Sequence, residues 1–363
     1  MKKILLEITV FIIVFALAVG MLSCRGGGGD TVQEKIRFTS YDFSYFDTVS
    51  TVTGYAKTRE EFEAIAKDIY ALIGEYHRYF DIYNPYDGIE NLYTVNKLYN
   101  GEHKAVKVDQ KIIDMLLYAK EVYALTGGKM NIAMGSVLSI WHDCREKASD
   151  NWGVGELPQM SELLEAAEHT DINGLIIDEE NSTVFLADPN MKLDVGAFAK
   201  GYAVEMVARM LEERGIDNFV INVGGNIRTV GKKADGNKWL AGIENPNEDS
   251  DESYVAYLAL ESETIVTSGI YQRYYLVDGK PYHHIIDPAT LMPAKGYVSI
   301  SIVCNNSALA DGLSTALFCM SLEEGRALIE SLEGVEAHWM LEDGTRVRSS
   351  GFSYYEDEYN KYE

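Results

Sequence analysis

The second half of the chain is a succession of short β-type runs interrupted by helical patterns, and this feature limits the fold more than any other. The runs beyond Leu175 are "LIID", "TVFLA", "LDV", "FVINV", "WLAGIE", "YVAYLAL", "ETIVTS", "RYYLV" and "VSISIV". Apolar periodicity predicts a helix from about Lys200 to Arg214 and a helix pair from Leu309 to Leu332. This mixture predicts an α+β fold with a mainly antiparallel sheet core flanked by helices.

Two amphipathic helices precede these runs. Apolar residues recur at helical spacing from Arg59 to Phe80 and again from Gln110 to Leu125. "TGG", directly after the second helix, predicts a glycine cap for it. Between the helices, "DIYNPYDGIENLYTVN" is predicted to be a loop that is rich in tyrosine. Because there is no internal repeat and no Pro-rich or Ser-rich linker within residues 35–355, the prediction is one compact domain over residues 35–363.

The N-terminus has the pattern of a targeting segment. Two lysines precede an apolar run from Ile8 to Leu22, which ends shortly before Cys24. A plain transmembrane anchor is the alternative, although the run is shorter than the ~20 residues that a spanning helix needs. "MLSC" resembles a bacterial lipobox, in which the cysteine is acylated, although two of its positions depart from the usual residues. We therefore predict a lipoprotein signal peptide over residues 1–24, lipidation of Cys24 and a flexible tether over residues 25–34.

The chain is strongly acidic. Its 56 Asp and Glu residues against 32 Lys and Arg residues give a formal charge of -24. Such a charge repels a nucleic-acid backbone, which argues against nucleic acid as a partner, and a phosphate ligand would need locally arranged cations. The P-loop, G-x-S-x-G, zincin and C-x-x-C motifs are also absent from the sequence. Cys304 and Cys319 lie in apolar sequence and are predicted to be core residues.

Two stretches of small residues are candidates for ligand contact. In "LDVGAFAKGYAV", Asp194 is predicted on a strand and Lys200 at the opening of the next helix. Small residues admit a ligand close to the backbone, and a helix N-terminus with a lysine attracts anions. A tight turn with a solvated lysine is the alternative. In "FVINVGGNIRTVG", Gly224 and Gly225 interrupt a strand, which indicates either a bulge or a close contact with the backbone.

Two further stretches carry polar side chains suited to catalysis or metal binding. His283 and His284 stand at a predicted strand start before "IIDP", whose turn would hold His284 as a general base; a structural histidine pair is the alternative. In "ALADGLSTALF", Asp311 and Thr315 are four residues apart and share one helix face. Carboxylate, hydroxyl and carbonyl oxygens are the ligands that Mg²⁺ prefers. Alternatively, Asp311 caps the helix and Thr315 bonds back to a carbonyl.

The order of these motifs resembles a known family. "LDVGAFAKGYAV", "VINVGGNIR", "TSGIYQRYY", "YHHIIDPAT" and "ADGLSTALF" are similar, in this order, to the motifs of the ApbE family of FAD:protein FMN transferases. "FDTVSTVTGYA" and "GKMNIAMGSVLSIW" extend the resemblance over roughly residues 43–342. It implies that the chain binds FAD beside Mg²⁺ and passes FMN to a threonine or serine hydroxyl of an acceptor protein, with release of AMP. Many members are lipoproteins acting outside the cytoplasm, which agrees with a lipid anchor at Cys24.

The resemblance also implies roles for individual residues. His284 would take the proton from the acceptor hydroxyl. The implied Mg²⁺ ligands are Asp311, Thr315 and the backbone carbonyl of Ala197. The implied FAD contacts are Phe46, Tyr83, Lys129, Met130, Asn131, Asp194, Lys200 and Ile285. Two positions depart from the family pattern: Asn131 stands where aspartate is usual, and Leu291 stands where glycine is usual. Both departures bear on the local geometry of the FAD site more than on the activity.

Two other functions stay open on the sequence alone. One is hydrolysis of FAD to FMN and AMP, in which water replaces the acceptor hydroxyl at the same site. The other is a lipid-tethered protein that binds FAD without catalysis, and His284 argues against it. The resemblance suggests a subunit of a membrane redox complex as the acceptor. It also suggests attachment to the cell membrane on the periplasmic or extracellular side.

Overall fold

The computed structural model of the chain describes residues 34–97, 103–247, 250–271 and 273–362. Lys35–Glu363 forms one compact unit. Cys24, the predicted signal peptide and nearly all of the predicted tether lie outside the described residues. Within the described ranges, no helix is long and apolar enough to cross a membrane.

Short strands make up much of the domain. In chain order they are β1 (Ile36–Asp42), β2 (Ser50–Ala56), β3 (Val106–Lys107), β4 (Leu175–Asp178), β5 (Thr183–Leu186), β6 (Phe219–Val223), β7 (Asn226–Val230), β8 (Trp239–Glu244), β9 (Tyr254–Leu260), β10 (Thr264–Gly269), β11 (Tyr274–Val277), β12 (Lys280–His283), β13 (Tyr297–Cys304), β14 (Glu336–Leu341) and β15 (Arg346–Arg348). Eight of them form the main sheet in the order β1-β2-β6-β7-β10-β13-β14-β15. Every neighbouring pair in this sheet is antiparallel, which confirms the predicted α+β class.

Helices cover this sheet. They are α1 (Arg59–Phe80), α2 (Leu92–Asn96), α3 (Gln110–Leu125), α4 (Gly135–Ser149), α5 (Met160–Ala167), α6 (Ala199–Glu213), α7 (Ser307–Phe318), α8 (Leu322–Glu330) and α9 (Ser353–Tyr359). Helix α1 packs on β2, α6 on β6 and β7, and α7 on β10 and β13, while α6 and α7 also pack against each other. The start of α6 and the middle of α7 therefore meet above the centre of the sheet.

Helices α1 and α3 begin and end where the periodicity predicts. Thr58 caps α1 by accepting a hydrogen bond from the Glu61 amide, and the Glu61 side chain accepts one from the amide of Lys57, the residue before the cap. After α3, Gly127 and Gly128 both have positive φ, which is the glycine cap expected from "TGG". Long amphipathic helices with strong caps are well determined by local sequence.

Four local predictions were wrong in detail. The run "LDV" is not a strand; only its neighbour Lys192 forms an isolated bridge, with Met134. Of the two alternatives for Gly224 and Gly225, the bulge is wrong, because they form the two-residue turn of the β6–β7 hairpin, with φ of 55° and 90°. The close contact is present at Gly224, where a Cβ would collide with Thr48. His283 ends β12 instead of starting a strand. The loop after α1 also contains the short helix α2.

Candidate active site

One cavity of about 560 Å³ gathers almost all of the predicted site residues. It opens where the start of α6, the middle of α7, the β6–β7 turn and the segment after β12 meet. The predicted residues that line it are Tyr83, Lys129, Met130, Asn131, Asp194, Ala197, Lys200, His284, Ile285, Asp311 and Thr315. These residues come from segments spread over more than 230 positions of the chain, and the fold brings them to one place.

Phe46 is the predicted residue that does not line the cavity. It is half-buried, its ring packs edge-on against His77 with centroids 5.4 Å apart, and its amide donates a hydrogen bond to His77 Nδ1. Thr48 and Val49, two and three residues further along, do line the cavity. Phe46 therefore lies behind the segment that reaches the cavity.

Helices α6 and α7 cap each other through buried carboxylates. The Gly201 amide, in the first turn of α6, donates to Asp311 Oδ2 of α7 at 2.8 Å. The Ser307 amide, at the start of α7, donates to Glu205 Oε2 of α6 at 3.0 Å. The helices approach so closely that a Cβ at Gly201 would collide with Ser307 and Asp311. This reciprocal capping fixes Asp311 beside the N-terminus of α6, where a helix dipole favours negative charge.

The alternative interpretation, in which Asp311 caps its own helix, is wrong. Asn306 caps α7, and Asp311 is the fifth helical residue. Asp311 is 4 % exposed, and burial raises the pKa of its carboxyl group, although Lys200, the Gly201 amide and Asn226 oppose that rise. Lys200 Nζ lies 3.9 Å from Asp311 Oδ2. The carboxylate thus has partners on both sides and still faces the cavity.

The oxygens around Asp311 suit a hard cation. Thr315 lies one turn further along α7 and faces the same cavity as Ala197. Across the described ranges, no hydrogen bond joins the Thr315 hydroxyl to a helix carbonyl, whereas Ser314 Oγ donates to the Asp311 carbonyl at 2.9 Å. Asn226, 2 % exposed, has a buried side-chain oxygen without a hydrogen-bond partner. No group of three His, Cys, Asp or Glu side chains forms a metal site in the described residues, so one carboxylate and neutral oxygens are what this pocket offers.

The two adjacent histidines have different environments. His283 Nε2 lies 2.8 Å from the Ala294 carbonyl, and its Nδ1 accepts from the Ile285 amide, so both ring nitrogens are used within the fold. His284 lines the cavity, and its Nδ1 lies 3.2 Å from the carbonyl of Arg273. Because a carbonyl only accepts, Nδ1 of His284 is assigned the proton and Nε2 keeps its lone pair. His283 is structural, and His284 has the tautomer of a general base.

The charge state of His284 also suits a base. Burial, together with the nearby Arg273 and Arg145 guanidinium groups, lowers the pKa of His284 to about 3. The imidazole is therefore neutral at physiological pH and can accept a proton. The turn after it is held by Asp287, whose carbonyl accepts from the amides of Thr290 and Leu291.

The cavity carries a small excess of positive charge in a chain whose formal charge is -24. Its cations are Lys129, Arg145, Lys200 and Arg273, and its acids are Asp194, Glu244 and Asp311. Burial raises the pKa of Asp194, while the Gly196 amide, His142 and Arg145 oppose that rise. Converging cations and a helix N-terminus are what an anionic ligand such as a diphosphate requires.

Several lining residues were missed at the sequence level. They are His142, Arg145, Asn222, Asn226, Glu244 and Arg273. Arg273 and Asn226 belong to the motifs "TSGIYQRYY" and "VGGNIR", which carry the family resemblance. The motifs do not indicate that these two side chains reach the cavity. His142 and Arg145 are three residues apart on α4, with 2.9 Å between Arg145 Nη2 and His142 Nδ1, and helical spacing alone could have paired them.

The two departures from the family pattern have distinct structural settings. Asn131 donates through Nδ2 to the Thr170 carbonyl at 3.0 Å and accepts from the Ala133 amide through Oδ1 at 2.9 Å. An aspartate carboxylate could not make the first of these bonds. Leu291 is buried with a φ of 60°, the conformation that favours glycine, and its carbonyl accepts from the Trp141 indole at 3.0 Å. Packing therefore holds a strained leucine where a glycine would be relaxed.

Comparisons with known proteins agree with this architecture. Residues 45–339 match the ApbE family. An FAD:protein FMN transferase of Haemophilus influenzae is 28% identical over 323 residues, which cover 88% of this chain and 89% of that protein. One of Treponema pallidum is 33% identical over 258 residues, covering 66% and 69% respectively.

Solved structures extend the comparison to the fold. The crystal structure of the ApbE protein from Thermotoga maritima has a TM-score of 0.76 at 27% identity, covering 88% of this chain and 99% of that one. The flavin transferase ApbE from Vibrio cholerae has a TM-score of 0.72 at 24% identity, covering 89% and 99%, and shares the fold. The resemblance drawn from the motifs is confirmed at the level of family and fold.

Proposed function

The chain belongs to the ApbE family, and from this premise we propose that it transfers FMN from FAD to a hydroxyl group of an acceptor protein, with release of AMP. The observation that carries the proposal is the cavity itself. It combines a neutral histidine in the tautomer of a base, a surplus of cations and a helix N-terminus in an otherwise acidic chain. The named relatives are FAD:protein FMN transferases, which supports the same reaction class.

The proposed reaction is one displacement at phosphorus. A threonine or serine oxygen of the acceptor attacks the phosphorus of the FMN half of FAD, and a new P–O bond forms. The P–O bond to AMP breaks, and its electron pair leaves on the AMP phosphate. The hydroxyl proton passes to Nε2 of His284, whose Nδ1–H stays bonded to the Arg273 carbonyl. Lys200, Lys129 and the start of α6 hold the diphosphate.

The residues present fit a Mg²⁺ ion. Asp311, Thr315 and Ala197 line one cavity, and a carboxylate, a hydroxyl and a backbone carbonyl are hard oxygen donors of the kind that Mg²⁺ takes beside phosphates. When bound, the ion would neutralise charge on the transferring phosphoryl group and on the departing AMP. Among the described residues, Lys200 at 3.9 Å and neutral hydrogen-bond donors compensate the buried carboxylate of Asp311. This incomplete compensation is the reason to expect a cation there.

The mass of the acceptor tests the proposal. The folded domain is incubated with FAD, Mg²⁺ and a candidate acceptor, and intact mass spectrometry then weighs the acceptor. We expect the acceptor to gain the mass of FMN. Free FMN with an unmodified acceptor would instead indicate hydrolysis, and unchanged FAD would indicate a protein that only binds it.

We also propose that the enzyme is a lipoprotein on the outer side of the cell membrane and that its acceptor is a subunit of a membrane redox complex. The support is the sequence pattern around Cys24, which lies outside the described residues. Cys24→Ala should abolish acylation, measured as lost incorporation of a labelled fatty acid, and leave the protein unprocessed or released. Unchanged labelling and membrane retention would contradict the lipid anchor.

A further inference from the structure

His77 links two segments that reach the rim of the cavity. It lies in the last turn of α1 and is half-buried. Its Nδ1 accepts from the Phe46 amide at 3.3 Å, and its Nε2 lies 3.2 Å from the Tyr86 hydroxyl. That hydroxyl donates its one proton to Asp81 Oδ2 at 2.8 Å. The Tyr86 oxygen must therefore accept from Nε2, which makes His77 neutral with its proton on Nε2.

The far end of this chain of hydrogen bonds is the backbone of Tyr83. Asp81 Oδ1 accepts from the amides of Tyr83 and Asn84 at 2.7 and 2.9 Å. Tyr83 lines the cavity and stacks on His142, with ring centroids 5.0 Å apart and 30° between the ring planes. The bonds from Phe46 through His77 to Asp81 all run in one direction, an arrangement in which neighbouring hydrogen bonds strengthen one another.

The segment at the other end, residues 45–49, needs outside support. Phe46 and Asp47 have φ of 55° and 50°, the left-handed region, which is unfavourable for residues with a Cβ. Tyr45 packs on α1 at Gly74, where any side chain would collide with its ring. Thr48 meets Gly224 of the β6–β7 turn in the same way. The segment is therefore wedged between α1 and the cavity, and His77 supplies a side-chain hydrogen bond to its strained part.

We propose that His77 is a positioning residue of the FAD site, whose neutral imidazole holds residues 45–49 and the loop 81–86 in one arrangement at the cavity rim. It sets the affinity for FAD and takes no part in phosphoryl transfer. The inference rests on the proposed function, since it requires that FAD is what the rim contacts. Two side chains of these segments line the cavity and connect the arrangement to FAD. They are Thr48, which is next to the strained residues, and Tyr83.

The same hydrogen bonds make FAD binding depend on pH. A protonated His77 has no acceptor for the Phe46 amide, so this link breaks on protonation. The charged and titratable groups that face the ring are Asp81 and Tyr86 from the loop, Asp47 and Tyr45 from residues 45–49, and Arg78 from α1. Burial lowers the pKa of His77 from its usual 6.5, although Asp81 and Asp47 oppose the shift. FAD affinity should be constant above about pH 6.5 and fall below it.

Three variants test the proposal by flavin fluorescence titration and by steady-state transfer. His77→Phe keeps the ring contacts and removes both hydrogen bonds, so the Kd and KM for FAD should rise about fivefold to tenfold with kcat unchanged, the loss expected for one or two neutral bonds. His77→Gln can accept from Phe46 and donate to Tyr86 at any pH. It should bind FAD within about twofold of wild type at pH 7.5 and lose the fall in affinity that the wild-type protein shows at pH values below 6.5. Tyr86→Phe, which cuts the link to Asp81 alone, should give an intermediate Kd.

The controls separate this role from others. His169→Gln removes a half-buried histidine that pairs with Asp188 away from the cavity, and its Kd for FAD and pH profile should match wild type. A wild-type Kd for His77→Phe, or a lower kcat with an unchanged KM, would overturn the proposal. If His77→Phe does not fold, the other two variants decide. An unchanged Kd for FAD in Tyr86→Phe, together with a fall in FAD affinity at low pH that persists in His77→Gln, would overturn the proposal. Failure of the wild-type protein to bind FAD at pH 7.5 would contradict the proposed function instead.

Discussion

The floor and the rim of the cavity are held in place by different forces. The floor consists of the start of α6, residues 199–201, and the α7 face that carries Asp311 and Thr315. Its groups are buried, Asp311 being 4 % exposed, and two helices fix it by capping each other with carboxylates. The rim consists of residues 45–49 and 81–86. Tyr83 there is 53 % exposed, and hydrogen bonds through one histidine hold both segments.

The difference indicates how each region responds to change. Buried charges on the floor depend on their partners, so a substitution there affects stability or the chemistry strongly. Groups on the rim can exchange a protein partner for water, so a substitution there costs less and affects ligand affinity first. The cavity thus combines a rigid site for the phosphates with a more adaptable edge for the rest of the ligand.

The largest effect on the rate of FMN transfer is expected for a substitution at His284, which lies beside the floor. His284→Ala should lower the rate of FMN transfer by roughly 10² to 10⁴, the contribution of a general base, because the variant lacks the Nε2 lone pair that would take the acceptor proton. The Kd for FAD, measured by fluorescence, should stay near the wild-type value. His283→Ala, one residue away, is the contrasting variant and should lower stability instead, since His283 is used within the fold. Undiminished transfer in His284→Ala would remove this residue from the mechanism.

The next largest effect is on the floor itself. Asp311→Asn keeps an oxygen that can accept from the Gly201 amide but removes the charge that recruits a cation, so transfer at saturating FAD should fall by roughly 10²-fold. The melting temperature without metal should change little. Binding of Mn²⁺, followed by electron paramagnetic resonance, should weaken in parallel. Wild-type metal binding and transfer in this variant would show that Asp311 serves only as a cap for α6.

Glu205, one turn beyond the floor on α6, is the structural counterpart of Asp311. It is 4 % exposed, accepts from the Ser307 amide and pairs with Arg209 and with Arg228, which is itself 3 % exposed. Glu205→Gln leaves Arg228 short of a buried partner and should lower the free energy of unfolding by about 3 kcal/mol in urea titration. Glu212→Gln removes a half-exposed partner of the same arginine and should cost less than about 1 kcal/mol. Equal losses in the two variants would mean that the buried charge of Glu205 does not stabilise Arg228 more than the half-exposed charge of Glu212 does.

The smallest expected effect is on the rim. Asp47 is exposed and has a φ of 50°, so Asp47→Gly relieves strain while it adds flexibility to the unfolded chain. The free energy of unfolding should stay within about 0.5 kcal/mol of wild type, and the Kd for FAD should not change. A large change in affinity would show that the backbone at Asp47, rather than the link through His77, positions the rim.

The sequence predicted regular elements far better than their junctions. The helices Arg59–Phe80 and Gln110–Leu125 have long apolar stripes and local caps, and both were predicted with the bounds that are observed. "LDV" failed because a three-residue run with two buried apolar residues on either side of a polar one looks the same in a strand and in an extended connection. The Gly224–Gly225 pair was misassigned because a bulge and a two-residue hairpin turn both demand glycine, and only the pairing of Val223 with Asn226 distinguishes them.

The site was predictable where local motifs carry it and not where tertiary contacts do. Asp311 and Thr315 share a helix face by spacing alone, and the fold places both at the cavity. The partner that Asp311 caps is Gly201, which is 110 residues away, and no local pattern indicates that contact. The same holds for His77 and Phe46, which are 31 residues apart and meet because of the packing of α1. The roles of the predicted residues stay predictions until variants test them.

The fate of water oxygen tests the central claim of FMN transfer most directly. The reaction is run in ¹⁸O-labelled water with FAD, Mg²⁺ and acceptor, and mass spectrometry follows the modified acceptor, AMP and free FMN. The account predicts one unlabelled AMP for each FMN attached to the acceptor, and no ¹⁸O in the attached FMN, because the acceptor hydroxyl is the nucleophile. Free FMN or AMP that carries one ¹⁸O, with an unmodified acceptor, would contradict it and identify water as the nucleophile.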